Sequence, residues 1–274
     1  GWKDGIKAFA VIFKFWLIDD LYAAPYGRGV LNNLTGTPQY LSWLALKLRP
    51  YVGDEVLEIG AGIGNLTGRL MSRRSLYVAA EKDPLHLHAL RNRFLRTPNV
   101  AVQRIDPEVP GDLAGLENCF DTVLCLNILE HADEPGSLLE SLAPTIRPGG
   151  SLLVLVPNVP GVYGSLDRKM GHKRRYTEES IGQLLSEHGF ATETVESFNK
   201  VALLPWWAYS KLLGSGSISK LVLKIFDKSV WFWRRLDVLM PWPGLSLVAV
   251  GRKPALPDAS VPSTVYRETT RNAN

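Results

Sequence analysis

The stretch VLEIGAGIGNLTG, residues 56–68, decides the fold. It reads as a buried β-strand running into a glycine-rich turn and then a helix. Gly60, Gly62 and Gly64 fall at every second position, where the missing Cβ permits positive φ and lets the backbone approach a ligand closely. The strand–turn–helix unit therefore makes room for a nucleotide-like cofactor.

The spacing narrows the choice. Dinucleotide-binding turns follow G-x-G-x-x-G and hold a ribose through an acid after the next strand. Here the order is G-x-G-x-G, and Glu58 precedes the first glycine. A carboxylate there repels a pyrophosphate but accommodates an ammonium and a sulfonium, which points to S-adenosylmethionine rather than NAD.

With these residues in place, the chain resembles the class I S-adenosylmethionine-dependent methyltransferases from about residue 40 to 253. The resemblance implies an α/β, Rossmann-like sheet of seven strands in the order 3-2-1-4-5-7-6. It implies that Glu58, Gly60, Gly62 and Gly64 wrap the methionine part of the cofactor. Glu81 in LYVAAEKD, with Lys82 beside it, then binds the ribose, since two acceptor oxygens suit two vicinal hydroxyls. Asp106 and Pro107 in VAVQRIDPE border the adenine. In FDTVLCLNILEHADEP, residues 120–135, apolar positions 123–126 form the fourth strand and Asn127 begins its loop, another cofactor contact. Asn127, Glu130 and His131 match an N-x-x-E-H pattern seen in similar small-molecule methyltransferases.

Two basic elements lie on the expected acceptor side. His131 is the first candidate for a general base and His172 the second, because the loops after strands four and five border the transferred methyl in the resembled fold. In HKRRY, Arg174 and Arg175 suit a phosphate or carboxylate on the acceptor, and Tyr176 stands with them as a substrate contact. The plain reading of the same string is a solvated turn whose arginines bond nearby carboxylates. Thr177, followed by Glu178 and Glu179, reads as the start of a helix.

Residues 200–244 separate strands six and seven, which a short hairpin joins in the resembled family. This insertion holds five of the eight tryptophans, and across residues 218–240 Lys220, Lys224, Lys228, Arg234 and Arg235 fall within roughly a 120° helical arc. Most of the apolar residues face the other way, although Trp231 and Val238 fall among the basic ones, and a basic arc opposed to Trp, Phe and Leu is the pattern of a helix lying in a membrane interface. The competing reading is a helical hairpin packed on the domain or closing over the pocket, with its lysines solvated. Strand six runs parallel to the central strands, so the insertion leaves from the cofactor edge.

The remaining segments complete the organisation. Residues 1–39 read as an amphipathic helix and a Gly/Pro/Asn-rich loop, with Lys3, Lys7 and Lys14 opposite Phe9, Ile12, Phe13 and Trp16. GWKDGIKAFAVIFKFW is similar to the end of the catalytic region of bacterial family 2 glycosyltransferases that act on polyprenyl phosphates, which implies a fused sugar-transfer protein. Residues 40–254 form the methyltransferase-like domain, and the polar tail, 255–274, is expected to be disordered. Net charge is +4, with 46% hydrophobic residues and no apolar run long enough to span a bilayer.

Cys119 and Cys125 read as reduced packing residues, and the histidines at 86, 88, 131, 172 and 188 show no zinc spacing, so no metal is predicted. Basic residues are too dispersed to suggest nucleic acid. The expectation is an S-adenosylmethionine-dependent methyltransferase on the inner, cytoplasmic face of a membrane, acting on a small-molecule, lipid-linked or glycan-related acceptor. The alternatives are a non-catalytic docking module of a glycosyltransferase and a soluble small-molecule methyltransferase.

Overall fold

Apolar runs flanked by turn residues become seven strands of one sheet: β1 (Glu55–Ile59), β2 (Leu76–Ala80), β3 (Val100–Gln103), β4 (Phe120–Leu126), β5 (Ile146–Pro157), β6 (Ala191–Phe198) and β7 (Ser246–Arg252). Their order is β3-β2-β1-β4-β5-β7-β6. The first five neighbours run parallel, and β7 is antiparallel to both β5 and β6. This is the sheet expected from the sequence. The computed structural model describes residues 37–212 and 220–255. The expectations for the amphipathic helix and glycosyltransferase-like opening before residue 37, and for the tail beyond 255, lie outside the described residues.

Strand alternation sorts the core into two layers. Leu57, Ile59, Val78, Val123, Cys125, Leu152 and Val154 pack on one face with α4 (Pro135–Leu142) and α6 (Glu178–Glu187). Val56, Tyr77, Ala79, Leu124, Leu153 and Val248 pack on the other, beneath α1 (Pro38–Leu48) and α3 (Pro84–Phe94). The short α2 (Thr67–Leu70) follows the glycine turn. Cys119 and Cys125 are both free thiols. Thr177 caps α6 by accepting from Ser180 N at 3.1 Å, as its sequence implied.

The insertion is not one helix. It holds α7 (Leu203–Trp207), continued by a π-helical turn at Ala208–Leu212, then α8 (Lys220–Lys228) and α9 (Val230–Leu239). Ser229 breaks the last two: its hydroxyl donates back to Ile225 O at 2.8 Å and accepts from Trp233 Nε1 at 2.7 Å.

Two buried aspartates dock the insertion on the domain. Asp227 Oδ1 accepts from Tyr40 N at 2.8 Å, satisfying a first-turn amide of α1 that has no partner within its own helix. Asp237 Oδ1 accepts from Val201 N at 3.1 Å, in the 3₁₀ turn Lys200–Ala202 that opens the insertion. Aromatic packing reinforces the first joint, with Tyr40 between Phe198 and Phe226 at 6.1 and 6.3 Å between ring centroids. Because α1 runs back into antiparallel alignment with β1, its N-terminus lies at the C-terminal ends of the strands, and the insertion is anchored there.

Asp227→Ala should cost about 1 kcal/mol, typical of a lost helix-capping acceptor, and should open the α8–α9 region to protease. Urea denaturation together with limited proteolysis checks this; an unchanged midpoint and digestion pattern would show that the aspartate does not anchor the insertion.

Candidate cofactor and acceptor site

The turn after β1 is set by backbone geometry. Gly60, Gly62 and Gly64 have φ of 66°, 59° and 79°, the left-handed region where a side chain is strained. Space is also short: a Cβ on Gly60 would lie 2.9 Å from Ile128 Cδ1, and one on Gly64 would lie 2.4 Å from the Phe94 ring. The turn is tied back to the sheet by Ala61 N donating to Ala80 O at 2.9 Å.

Glu81, buried just past β2, fixes that turn against the next loop. Its Oε2 accepts from Gly62 N at 2.7 Å and its Oε1 from Asp83 N at 2.8 Å. Each carboxylate oxygen keeps a further lone pair, so the same group that holds the two loops retains capacity for hydroxyl donors. Past β3, Asp106 accepts from Lys82 Nζ at 3.3 Å, and Lys82 also reaches Glu108 at 3.0 Å. Pro107 is buried behind Asp106, which itself is half-buried.

Glu58 takes a different place from the one its sequence suggested. Strand alternation sends it to the Val56 face, under α2 and away from the mouth of the turn. Its Oε2 accepts from Thr67 Oγ1 at 2.5 Å and from Tyr77 Oη at 2.9 Å. Burial is the largest influence on its carboxyl and pushes the pKa up to about 7. Glu58 therefore acts as a staple between β1, β2 and α2 behind the cofactor turn.

The loop after β4 begins with Asn127 at φ 55°, a conformation asparagine tolerates better than most residues, and its side chain is exposed. Next come Glu130, fully buried, and His131, exposed. The loop containing α5 (Ser165–Met170) brings His172 alongside, with 5.1 Å between the two imidazole centroids. His172 Nδ1 lies 3.0 Å from Asp167 Oδ1, and His131 Nδ1 lies 3.1 Å from Gly171 O. The two candidate bases are thus brought together.

The arginines and tyrosine of HKRRY are not. Arg175 is buried: its Nε donates to Asp167 Oδ1 at 2.8 Å, Nη1 donates to Asn158 O at 2.6 Å, and the guanidinium stacks 5.1 Å from the Trp206 ring centre. Tyr176 is buried and donates to Leu129 O at 3.1 Å. Arg174 donates to Ala132 O and Asp133 O at 3.1 and 2.8 Å. These contacts pin one loop to the other and bury Arg175 and Tyr176, while Arg174 is half-buried and its Nε has no hydrogen-bond partner among the described residues. The sequence analysis missed Asp167, on which His172, Arg175, Gly164 N and Trp206 Nε1 converge. Three of these partners lie in its own loop and one, Trp206, in the insertion, and no spacing in the string marks the loop as folding back on this carboxylate.

Comparison with known proteins agrees with this architecture. Residues 57–152 match the family model described as a methyltransferase domain. A ubiquinone biosynthesis O-methyltransferase of Aeromonas salmonicida is 30% identical over 128 residues, 44% of this chain and 50% of that protein. An uncharacterized methyltransferase of Mycobacterium tuberculosis is 30% identical over 168 residues, 60% of each chain. The chain spans about half the length of the ubiquinone-biosynthesis relatives it matches. Among solved structures, the phosphoethanolamine N-methyltransferase 2 of Haemonchus contortus in complex with S-adenosyl-L-methionine aligns with a TM-score of 0.52 at 19% identity, over 78% of this chain and 52% of that one. The cyclase SpnF aligns with a TM-score of 0.54 at 16% identity, over 80% and 81%. These structural likenesses establish the fold, that of the Rossmann-like methyltransferases.

Two buried carboxyls give the site a pH signature. Burial pushes Glu130 up to about 8, as it pushes Glu58 to about 7. A raised carboxyl pKa means that the folded state binds more protons than the unfolded chain between the two pKa values. The stability each group supplies is therefore full below about pH 4.5 and is lost as pH rises through its folded value. Glu58→Gln should flatten the lower part of that decline, by an amount on the order of 3 kcal/mol between pH 4.5 and 7. Urea denaturation across that range measures it; parallel curves for the wild type and the variant would remove Glu58 as the cause.

Proposed function

We propose that the chain is an S-adenosylmethionine-dependent methyltransferase held at a membrane surface, where it methylates a lipid-linked or glycan-related acceptor. The residues fit that cofactor. The Gly60–Gly62–Gly64 turn leaves a cradle that side chains would fill. Glu81 keeps acceptor capacity for a ribose, and Asp106 stands at the next strand end for an adenine amine. Lys82, Pro107 and Asn127 complete the rim. When bound, the sulfonium supplies an already electrophilic methyl group. The protein's own task is to align the acceptor and exclude water. Glu130, His131 and His172 form the end of the site that handles the acceptor's proton.

The observation that carries the membrane part is the exposed surface of the insertion. Ile225, Trp231, Val238 and Leu239 are 59%, 62%, 80% and 77% exposed. Lys224, Lys228, Arg234 and Arg235 are exposed among them, and Arg235 lies 5.9 Å from the Trp231 ring centre. Aspartates 227 and 237 face the domain, so the same two helices that dock inward present apolar and basic groups outward. Such a surface gains by burying its aromatics at a headgroup boundary while its cations meet anionic lipid. No helix among the described residues is long and apolar enough to cross a membrane. A glycosyltransferase upstream of residue 40 belongs to the same proposal, since its polyprenyl-linked product would lie on the same cytoplasmic face.

The chain should co-sediment with anionic vesicles at low salt. Trp231→Ser combined with Leu239→Ser should weaken that partition at least ten-fold, since each removes on the order of 1.5–3 kcal/mol of burial. Methyl label from S-adenosylmethionine should enter the lipid fraction of a membrane extract. Absence of vesicle binding, with label confined to water-soluble acceptors, would favour a soluble enzyme whose insertion covers its pocket.

A further inference from the structure

Glu130 presents an unusual arrangement for a buried carboxyl. It is 0% exposed, and neither Oε1 nor Oε2 has a hydrogen-bond partner among the described residues. Leaving both oxygens of a buried carboxyl unsatisfied is costly. His172 Nε2 stands 4.0 Å from Glu130 Oε1. A ring nitrogen of His131, a ring nitrogen of His172 and an oxygen of Glu130 all lie within 4.8 Å of one another.

The second observation concerns the other side of each imidazole. Gly171 O can only accept, so the His131 nitrogen facing it, Nδ1, carries the proton. The Asp167 carboxylate likewise takes the proton on His172 Nδ1. Asp167 also accepts from Arg175 Nε at 2.8 Å and from Gly164 N at 3.0 Å, which fixes the carboxylate beside His172. In the neutral form of each ring, Nε2 is then the nitrogen left to act as a ligand. Imidazoles that ligate metals carry this outer support, a carboxylate or a carbonyl on the far N–H. Here both kinds occur side by side.

We propose that Glu130, His131 and His172 form a binding site for a divalent transition-metal cation, with Asp167 and Gly171 O orienting its imidazole ligands. Two imidazoles and one carboxylate suit zinc or a neighbouring first-row ion rather than magnesium or calcium. Binding would satisfy the Glu130 oxygens, which have no hydrogen-bond partner among the described residues. Glu130 and His172 are buried while His131 is exposed, so the cation would be approached from the His131 side, where a coordination position remains for an oxygen ligand. If the methyltransferase reading holds, that ligand is the acceptor's hydroxyl, whose proton the cation acidifies. Only this role rests on that reading; the binding site does not. The linear sequence concealed the site because its ligands come from loops about forty residues apart.

Cobalt(II) titration of the metal-stripped full chain tests the proposal, followed by visible absorption and by calorimetry with zinc. One ion per chain should bind, with ligand-field bands of a low-coordinate site, and zinc should raise the melting temperature. Glu130→Gln and His131→Ala should each weaken binding at least ten-fold. His131 is exposed, so its variant remains informative if the buried glutamine perturbs folding. Affinity for S-adenosylmethionine, measured separately, reports on the cofactor turn and so distinguishes failure of the methyltransferase reading from failure of the metal site. Absence of 1:1 binding tighter than about 1 mM, or equal affinity in wild type and both variants, would overturn the proposal.

Discussion

The two backbone hydrogen bonds onto Glu81 are the constraint from which the site follows. A turn with three residues in the left-handed region has little inherent preference for one shape, because glycine backbones are conformationally free. The Glu81 carboxylate removes that freedom by accepting from Gly62 N in one loop and Asp83 N in the next, which also places Asp83 to cap α3 through Leu85 N and His86 N. One buried group thus fixes the glycine turn, the start of a helix and the position of its own oxygens at the sheet mouth. Glu58 supports the assembly from behind through Thr67 and Tyr77. The front carboxylate keeps capacity for a ligand, whereas the rear one is spent on structure.

A second assembly joins the acceptor end to the insertion. Asp167 receives His172 and Arg175 from its own loop and Trp206 Nε1 from the insertion at 3.4 Å. Arg175 in turn lies against the Trp206 ring, and Ser165 Oγ donates to Ser210 O at 3.0 Å. The residues nearest the histidines are therefore packed on the segment whose outer surface is apolar and basic. Whatever that surface rests on is mechanically close to the two histidines, which is the physical basis on which the proposed membrane attachment would bear on acceptor choice.

Much of the fold could be read from residue order alone. Apolar runs at 123–126 and 152–157, and the Val56, Leu57 and Ile59 positions before the glycines, report strands buried within a sheet, and the glycine spacing fixes which strand comes first. The direction of Glu58 was also legible in principle. Val56 and Glu58 are two apart, so they must share a face, and Val56 belongs under α1. The charge beside the glycines suggests a ligand contact only when the period of two is set aside. Arg175 and Tyr176 misled for another reason: a basic-aromatic string resembles a ligand contact until distant partners, Asp167 and the carbonyls of Asn158 and Leu129, are known. The break at Ser229 and the docking aspartates were beyond local reading, because an amphipathic pattern continues across a helix break and because Tyr40 and Asp227 are 187 positions apart. The approach of His172 to Glu130 and His131 was hidden in the same way.

Isothermal titration calorimetry of S-adenosylmethionine with the intact chain and with Glu81→Gln tests the account most directly. The amide puts a donor where one of two backbone N–H groups now donates, and so it should unsettle the turn. The account predicts 1:1 binding to the wild type and at least a ten-fold loss in the variant, about 1.4 kcal/mol or more. No binding by the wild type, or equal affinity in both proteins, would contradict it.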